Sequence, residues 1–170
     1  MILLALGSNL ASSFGDRYDN IDHAITELSK LNFKIVKRSS FYETPSYPNI
    51  NNPSFINVVI HVEAKLTPQK LASSIIKIEE LLERKRFKKN DPRTCDIDII
   101  DYNNEVLNFK FDNLDFDVPH KKLIYRNFVL FPIKEIIPDW KHPEFNVSID
   151  VLIDRLSQDE KNSILKINKS

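Results

Sequence analysis

Phe55-Ile56-Asn57-Val58-Val59-Ile60-His61-Val62-Glu63, followed by Thr67-Pro68 and then by Leu71, Ile75, Ile78 and Leu82, fixes the centre of the fold. Ile56, Val58, Val59, Ile60 and Val62 form a β-branched run, which reads as a strand. Thr67 supplies a capping hydroxyl and Pro68 the first helical position, so a helix starts there. Leu71, Ile75, Ile78 and Leu82 then share one helical face. Lys77, Glu79, Glu80, Glu83, Arg84, Lys85 and Arg86 take the opposite face and the far end, and Lys88 to Pro92 close the helix in a polar loop.

Upstream, Ile2 to Leu6 reads as a buried strand stopped by Gly7-Ser8-Asn9. Ile21, Ala24, Ile25, Leu28 and Leu31 recur at helical spacing across residues 19–31. Residues 33–42 return to strand character, and Pro45, Pro48 and Pro53 punctuate an Asn-rich loop. Downstream, Cys95 to Tyr102 reads as a strand with a turn at Asn103-Asn104. Glu105 to Leu107 and Leu114 to Val118 read as short strands, and residues 125–136 as a helix shortened or bent by Pro132. Residues 147–156 form a last helix, with a frayed polar tail behind it. The order βαββαβ with a C-terminal extension predicts an α+β fold, a ferredoxin-like sandwich with extra C-terminal strands and helices. One domain is expected over residues 1–160, with a polar tail at 161–170.

Composition removes several classes of function. Lysine plus arginine equals aspartate plus glutamate at 24 each, which argues against a general nucleic-acid coat. Cys95 is the single cysteine, so neither a disulfide nor a zinc cluster is expected, and a reducing cytoplasmic location fits. Ile2 to Leu6 is too short to span a membrane and has no basic region before it. Only Gly7 and Gly15 occur, so no glycine-rich phosphate loop can be built. Phosphate chemistry here must use metal ions and cationic side chains.

In a strand, alternate residues share a side, so Asp96 and Asp98 project together while Cys95, Ile97 and Ile99 face the other way. Two adjacent carboxylates fit either a divalent cation with hard oxygen ligands or the polar face of an edge strand. Arg93 lies upstream of the pair, Arg84 and Arg86 end the preceding helix, and Glu79 stands near them. A helix C-terminus favours cations by its dipole, which accounts for Arg84 and Arg86 without a function. Acidic ligands flanked by arginines are also what phosphoryl transfer needs in the absence of a glycine loop. Val118-Pro119-His120 with Arg126 and Phe128 forms a second cluster, in which His120 is either a capping or a functional residue. Phe41 to Pro45 with Phe55-Ile56-Asn57 forms a third, either core aromatics beside a turn or a sandwich for a flat heterocycle.

Together these clusters resemble the 6-hydroxymethyl-7,8-dihydropterin pyrophosphokinase family. The matching stretches are Ala5-Leu6-Gly7-Ser8-Asn9-Leu10, Ser40 to Pro45, Phe55-Ile56-Asn57, Pro92 to Asp98, Val118-Pro119-His120 and Ile136-Ile137-Pro138, in order along nearly the whole chain. The resemblance implies transfer of pyrophosphate from ATP to the pterin alcohol, yielding AMP, with Asp96 and Asp98 binding two Mg²⁺ ions. It implies ATP contacts at Glu79, Arg84, Arg86, Arg93, Ile99, His120 and Arg126, with Arg84 and Arg93 also acting in catalysis beside Asp96 and Asp98. It implies pterin contacts at Thr44, Pro45, Tyr47, Phe55, Asn57, Asp96 and Phe128. A monomer is expected, with no nucleic-acid or membrane partner. Three departures stand out. Asn90-Asp91 replaces a frequent Trp-Gly, so an indole that closes over the pterin is missing; the loop before Pro92 is one residue shorter than in some members; and Lys121 stands where a tyrosine occurs. A ferredoxin-like RNA-binding module is the main rival, yet RNP-type motifs are not apparent. A small-molecule-sensing domain and a degenerate pyrophosphokinase are further alternatives.

Overall fold

A computed structural model describes residues 1–168. Its main sheet is antiparallel throughout and runs in the order β5-β1-β4-β3-β8. These strands are β1 (Ile2–Ser8), β3 (Phe41–Thr44), β4 (Phe55–Glu63), β5 (Asp96–Tyr102) and β8 (Leu165–Ile167). A further strand, β2 (Lys34–Arg38), pairs with the far end of β4. Helices α1 (Arg17–Lys30) and α2 (Pro68–Leu81) cover one face of the sheet. Helices α3 (Asn127–Ile136) and α4 (Ile149–Asp154) cover the other.

This double cover explains the uninterrupted apolar runs. In β1, Ile2, Leu4 and Leu6 enter the core beneath α1 and α2, whereas Leu3 enters the core beneath α3 and α4. In β4, Ile56, Val58, Ile60 and Val62 face the first core and Val59 the second. A strand buried on both faces has no polar side to show. Each fully buried Leu or Ile contributes about 1.5–3 kcal/mol of transfer free energy, so these two strands anchor the molecule. Cys95, at the foot of β5, is itself buried in the first core.

The βαββαβ frame and its C-terminal additions are present, and several boundaries differ from the sequence expectation. The strand expected over residues 33–42 is broken at Ser39-Ser40, where Val59 both receives the Ser39 amide at its carbonyl and donates its own N–H to the Ser39 hydroxyl. The helix expected to reach Arg86 stops at Leu81, because Glu83 adopts a left-handed φ of 65° and the Arg84 N–H closes back onto the Glu79 carbonyl. Arg84 and Arg86 therefore lie beyond the helix, not in its last turn. The short strand expected at 105–107 falls later, as β6 (Leu107–Phe111), which pairs with β7 (Leu114–Val118). Asp112 and Asn113, both at positive φ, form the two-residue turn that sets this register. Pro132 lies inside α3 without ending it. The tail is not frayed where described: α5 (Gln158–Asn162) carries a Ser157 capping box, and β8 pairs with β3. The last two residues of the expected tail, 169–170, lie outside the described residues.

Candidate active site

Strand alternation in β5 turns Cys95, Ile97 and Ile99 into the core and leaves Asp96 and Asp98 on the opposite side, partly open at 26% and 29% exposure. Four guanidiniums gather here, three of them on the carboxylates of this strand. Arg84 donates from Nη1 to Glu79 Oε1 and to Asp96 Oδ1, each at 2.6 Å. Arg86 donates to Glu79 Oε2. The Arg93 Nε lies 3.3 Å from Asp96 Oδ2, and the Arg126 Nη1 donates to Asp98 Oδ2 at 2.7 Å.

Glu79 departs most from its sequence reading. Expected near a solvated helical face, it is only 2% exposed and also accepts the Ile97 N–H at 2.9 Å. It lies four residues after Ile75 and three before Leu82, on the border of the apolar stripe, and that spacing was the available signal. Burial pushes its carboxyl up to about 7, and the nearby Asp96 adds to this against the pull of Arg84 and Arg86. Asp96 moves the other way. Burial alone would raise it, yet Arg84 and Arg93 hold it below the ordinary carboxylate range. The Arg93 Nε is buried, and its approach to Asp96 lacks hydrogen-bond alignment, so among the described residues it has no hydrogen-bond acceptor. A buried donor of this kind, ion-paired but without an aligned acceptor, can still take an anionic oxygen.

A cavity of about 160 Å³ opens beside the cluster, lined among others by Glu79, Arg86, Asp98, Ile99, Asp117 and His120. Ile99 reaches it from the core, at 4% exposure. The His120 Nδ1 accepts the Lys122 N–H at 3.1 Å, which leaves the proton of a neutral ring on Nε2. Burial lowers the His120 pKa, and Arg126 lowers it further against the opposing charge of Asp98, so the ring is neutral near pH 7.

The aromatic cluster lies at the ends of β3 and β4. Their register pairs Tyr42 with Asn57 and Thr44 with Phe55. Asn57 is buried and donates from Nδ2 to the Tyr42 carbonyl and to Thr44 Oγ1. Gly7 faces Asn57 across β1, and a Cβ on Gly7 would meet Asn57 Oδ1 at 3.3 Å, so the close approach favours glycine. The Arg93 guanidinium sits 5.2 Å from the Phe55 ring centroid, and Arg126 sits 5.6 Å from that of Phe128. Cation–aromatic contacts therefore join the aromatic and charged clusters. Pro45 is exposed, and Tyr47, 85% exposed, is not gathered into the cluster. Asn90-Asp91 builds a turn: Asn90 takes a left-handed φ of 65° and Asp91 accepts the Lys88 N–H at 3.0 Å. Asn9, read from sequence only as part of a strand stop, donates its backbone N–H to the Arg93 carbonyl and accepts the Arg93 N–H on Oδ1.

Comparison with known proteins points to a family and a fold. The family model described as 7,8-dihydro-6-hydroxymethylpterin-pyrophosphokinase matches residues 3–138. The chain is 37% identical over 142 residues to the 2-amino-4-hydroxy-6-hydroxymethyldihydropteridine pyrophosphokinase of Aquifex aeolicus, covering 84% of this chain and 83% of that protein. It is 32% identical over 155 residues to the protein of the same name from Synechocystis, covering 91% and 75%. Among solved structures, Plasmodium falciparum HPPK-DHPS with pteroate superposes with a TM-score of 0.69 at 18% identity, covering 91% of this chain and 42% of that one. A variant of it with pterin and p-hydroxybenzoate gives 0.76 at 16% identity, covering 99% and 47%. This chain thus spans less than half of those longer chains, and at such identities the likeness concerns the fold alone.

Proposed function

Because this chain belongs to the 7,8-dihydro-6-hydroxymethylpterin-pyrophosphokinase family, we propose that it transfers pyrophosphate from ATP to 6-hydroxymethyl-7,8-dihydropterin, giving the pterin diphosphate and AMP. The observation that carries this reading is the convergence of Arg84, Arg93 and Arg126 on Asp96 and Asp98, beside the Phe55–Asn57 cluster.

The donor set fits Mg²⁺. Asp96 and Asp98 offer hard oxygens on one side of one strand, while among the described residues no group of three or more His, Cys, Asp or Glu is arranged to hold a metal ion by itself. A cation held by two carboxylates takes its other oxygens from phosphates and water, as Mg²⁺ prefers. When bound, Mg²⁺ neutralises phosphate charge and polarises the phosphoryl oxygens.

The chain's own groups do the rest. Four guanidiniums pair with Glu79, Asp96 and Asp98, so cations that can turn to a triphosphate already stand at the cleft, whose wall also carries Asp115 and Asp117. Arg84, Arg93 and Arg126 exchange their carboxylate partners for phosphate oxygens when ATP arrives; Arg93 already carries an unused Nε donor. His120 presents Nε2–H to another phosphate oxygen without adding a charge. Phe55 and Phe128 hold the flat pterin, and Asn57 with the Thr44–Pro45 backbone reads its edge. The pterin hydroxymethyl oxygen attacks the β-phosphorus in line. The bond from that phosphorus to the oxygen it shares with the α-phosphorus breaks and AMP departs, the hydroxymethyl proton passing to solvent, while Arg84 and Arg93 balance the charge gathering on the transferred group and the leaving phosphate. AMP release from ATP should require both the pterin and Mg²⁺. ATP turnover that ignores the pterin, or persists undiminished in excess EDTA, would overturn the reading.

A further inference from the structure

Gly7-Ser8-Asn9 ends β1 between the pterin-side loop and the arginine segment, and the proposed reaction leaves Asn9 without a role. Its side chain is 2% exposed. Nδ2 donates to Ser46 Oγ at 3.1 Å and to the Pro53 carbonyl at 3.0 Å. Oδ1 accepts the Arg93 N–H at 2.8 Å, and the Asn9 backbone N–H donates to the Arg93 carbonyl at 3.1 Å. The Ser46 hydroxyl in turn donates to the Pro53 carbonyl at 2.6 Å, closing the neck of the loop 46–53. Beyond that neck the tip is open to solvent, with Tyr47 and Ile50 exposed.

From these contacts we infer that Asn9 is a positioning residue, which fixes the loop 46–53 to the Arg93 segment and so sets the spacing between the pterin-holding wall and the phosphate-holding wall. This rests on the proposed function. A satisfied polar residue beside a turn would need only local partners. Asn9 instead divides one planar amide between the two walls: its donors go to the loop that follows Thr44-Pro45 and precedes Phe55, its acceptor to the backbone of Arg93. Only a short amide meets this demand, since both donor hydrogens and an acceptor are needed on one side chain. The same strut holds the Arg93 guanidinium over the Phe55 ring.

Asn9→Asp keeps an acceptor for the Arg93 N–H and loses both donors to the loop, whereas Asn9→Ala loses both halves. Asn9→Asp should raise KM for the pterin about tenfold while kcat and KM for ATP move less than about threefold; Asn9→Ala should also lower kcat about tenfold. Hydrogen exchange supplies a readout independent of turnover. Amides at 49–52 should exchange faster in both variants and in Ser46→Ala, which serves where Asn9→Ala does not fold. The Arg93 amide should exchange faster in Asn9→Ala alone. An Asn9→Asp protein with wild-type loop exchange and an unchanged pterin KM overturns the proposal. A wild-type protein that releases no AMP overturns the functional reading instead, and the exchange pattern still decides the role of Asn9.

Discussion

Two carboxylate clusters in this protein are built from similar parts and end in opposite states. On the β3 side, Glu135 of α3 accepts the Ser40 N–H, the Ser40 hydroxyl at 2.7 Å and the Tyr42 hydroxyl at 2.8 Å, and pairs with Lys166 of β8 at 3.3 Å. Its partners are mostly neutral donors, and it locks α3 and β8 onto β3. On the β5 side, Glu79, Asp96 and Asp98 are met by arginines, and one buried arginine donor still lacks an aligned acceptor. A carboxylate satisfied by neutral donors has no call on a ligand. A cluster held by several guanidiniums, each able to change its carboxylate for a phosphate, has one, and that separates the candidate site from a structural knot.

The sharpest way to break this comparison is to remove a carboxylate from each cluster. Asp96→Ala or Asp98→Ala should lower kcat for AMP release by about two to three powers of ten or more, measured in a coupled AMP assay, with the fold retained by circular dichroism. Arg84→Ala should follow with a loss of about two powers of ten, and it also strips a buried cation from Glu79, so the melting temperature should fall alongside the rate. Glu135→Gln should leave kcat within about threefold and act on stability instead. Although burial tends to raise the Glu135 carboxyl, its hydrogen bonds with Ser40 and Tyr42 and the charge of Lys166 hold it below 4.5. Its stabilising contribution is therefore present above 4.5 and lost as pH falls through the lower folded-state value. Thermal melts in a pH series should show wild type more stable than Glu135→Gln near neutrality and the gap closing in acid. A gap that widens in acid would contradict this assignment. The smallest effect belongs to Lys166→Ala, about 0–1 kcal/mol by chemical denaturation, because that pair is half exposed.

Much of the fold was legible because its main strands carry their own instructions. The runs in β1 and β4 and the Thr67-Pro68 start of α2 are local patterns with local causes. The Asp96-Ile97-Asp98 alternation was legible for the same reason, and with it the direction of both carboxylates. What escaped depends on distant partners. The segment Leu165-Lys166-Ile167 has no strand pattern of its own and becomes a strand only on the edge of β3. Glu83 gives no hint of a left-handed conformation, which glycine would have announced, so α2 appeared longer than it is. The spacing of Glu79 from Ile75 and Leu82 hints at its burial, but its pairing with Arg84 is visible only once the segment after α2 folds back. Asn9 is polar and next to a turn, and nothing nearby in the chain reveals that its amide spans from Pro53 to Arg93.

The burial of Cys95 bears on how motion in this protein can be followed. Burial raises its thiol well above the ordinary range, and the residue is fully enclosed, so a maleimide dye finds no thiolate on the native surface. The wild-type chain is thus a ready background for single-site labelling. An Ile50→Cys substitution, at a position 75% exposed on the tip of the 46–53 loop, would carry one fluorophore without removal of the native cysteine and would report any change in the surroundings of that loop as ATP and pterin are added.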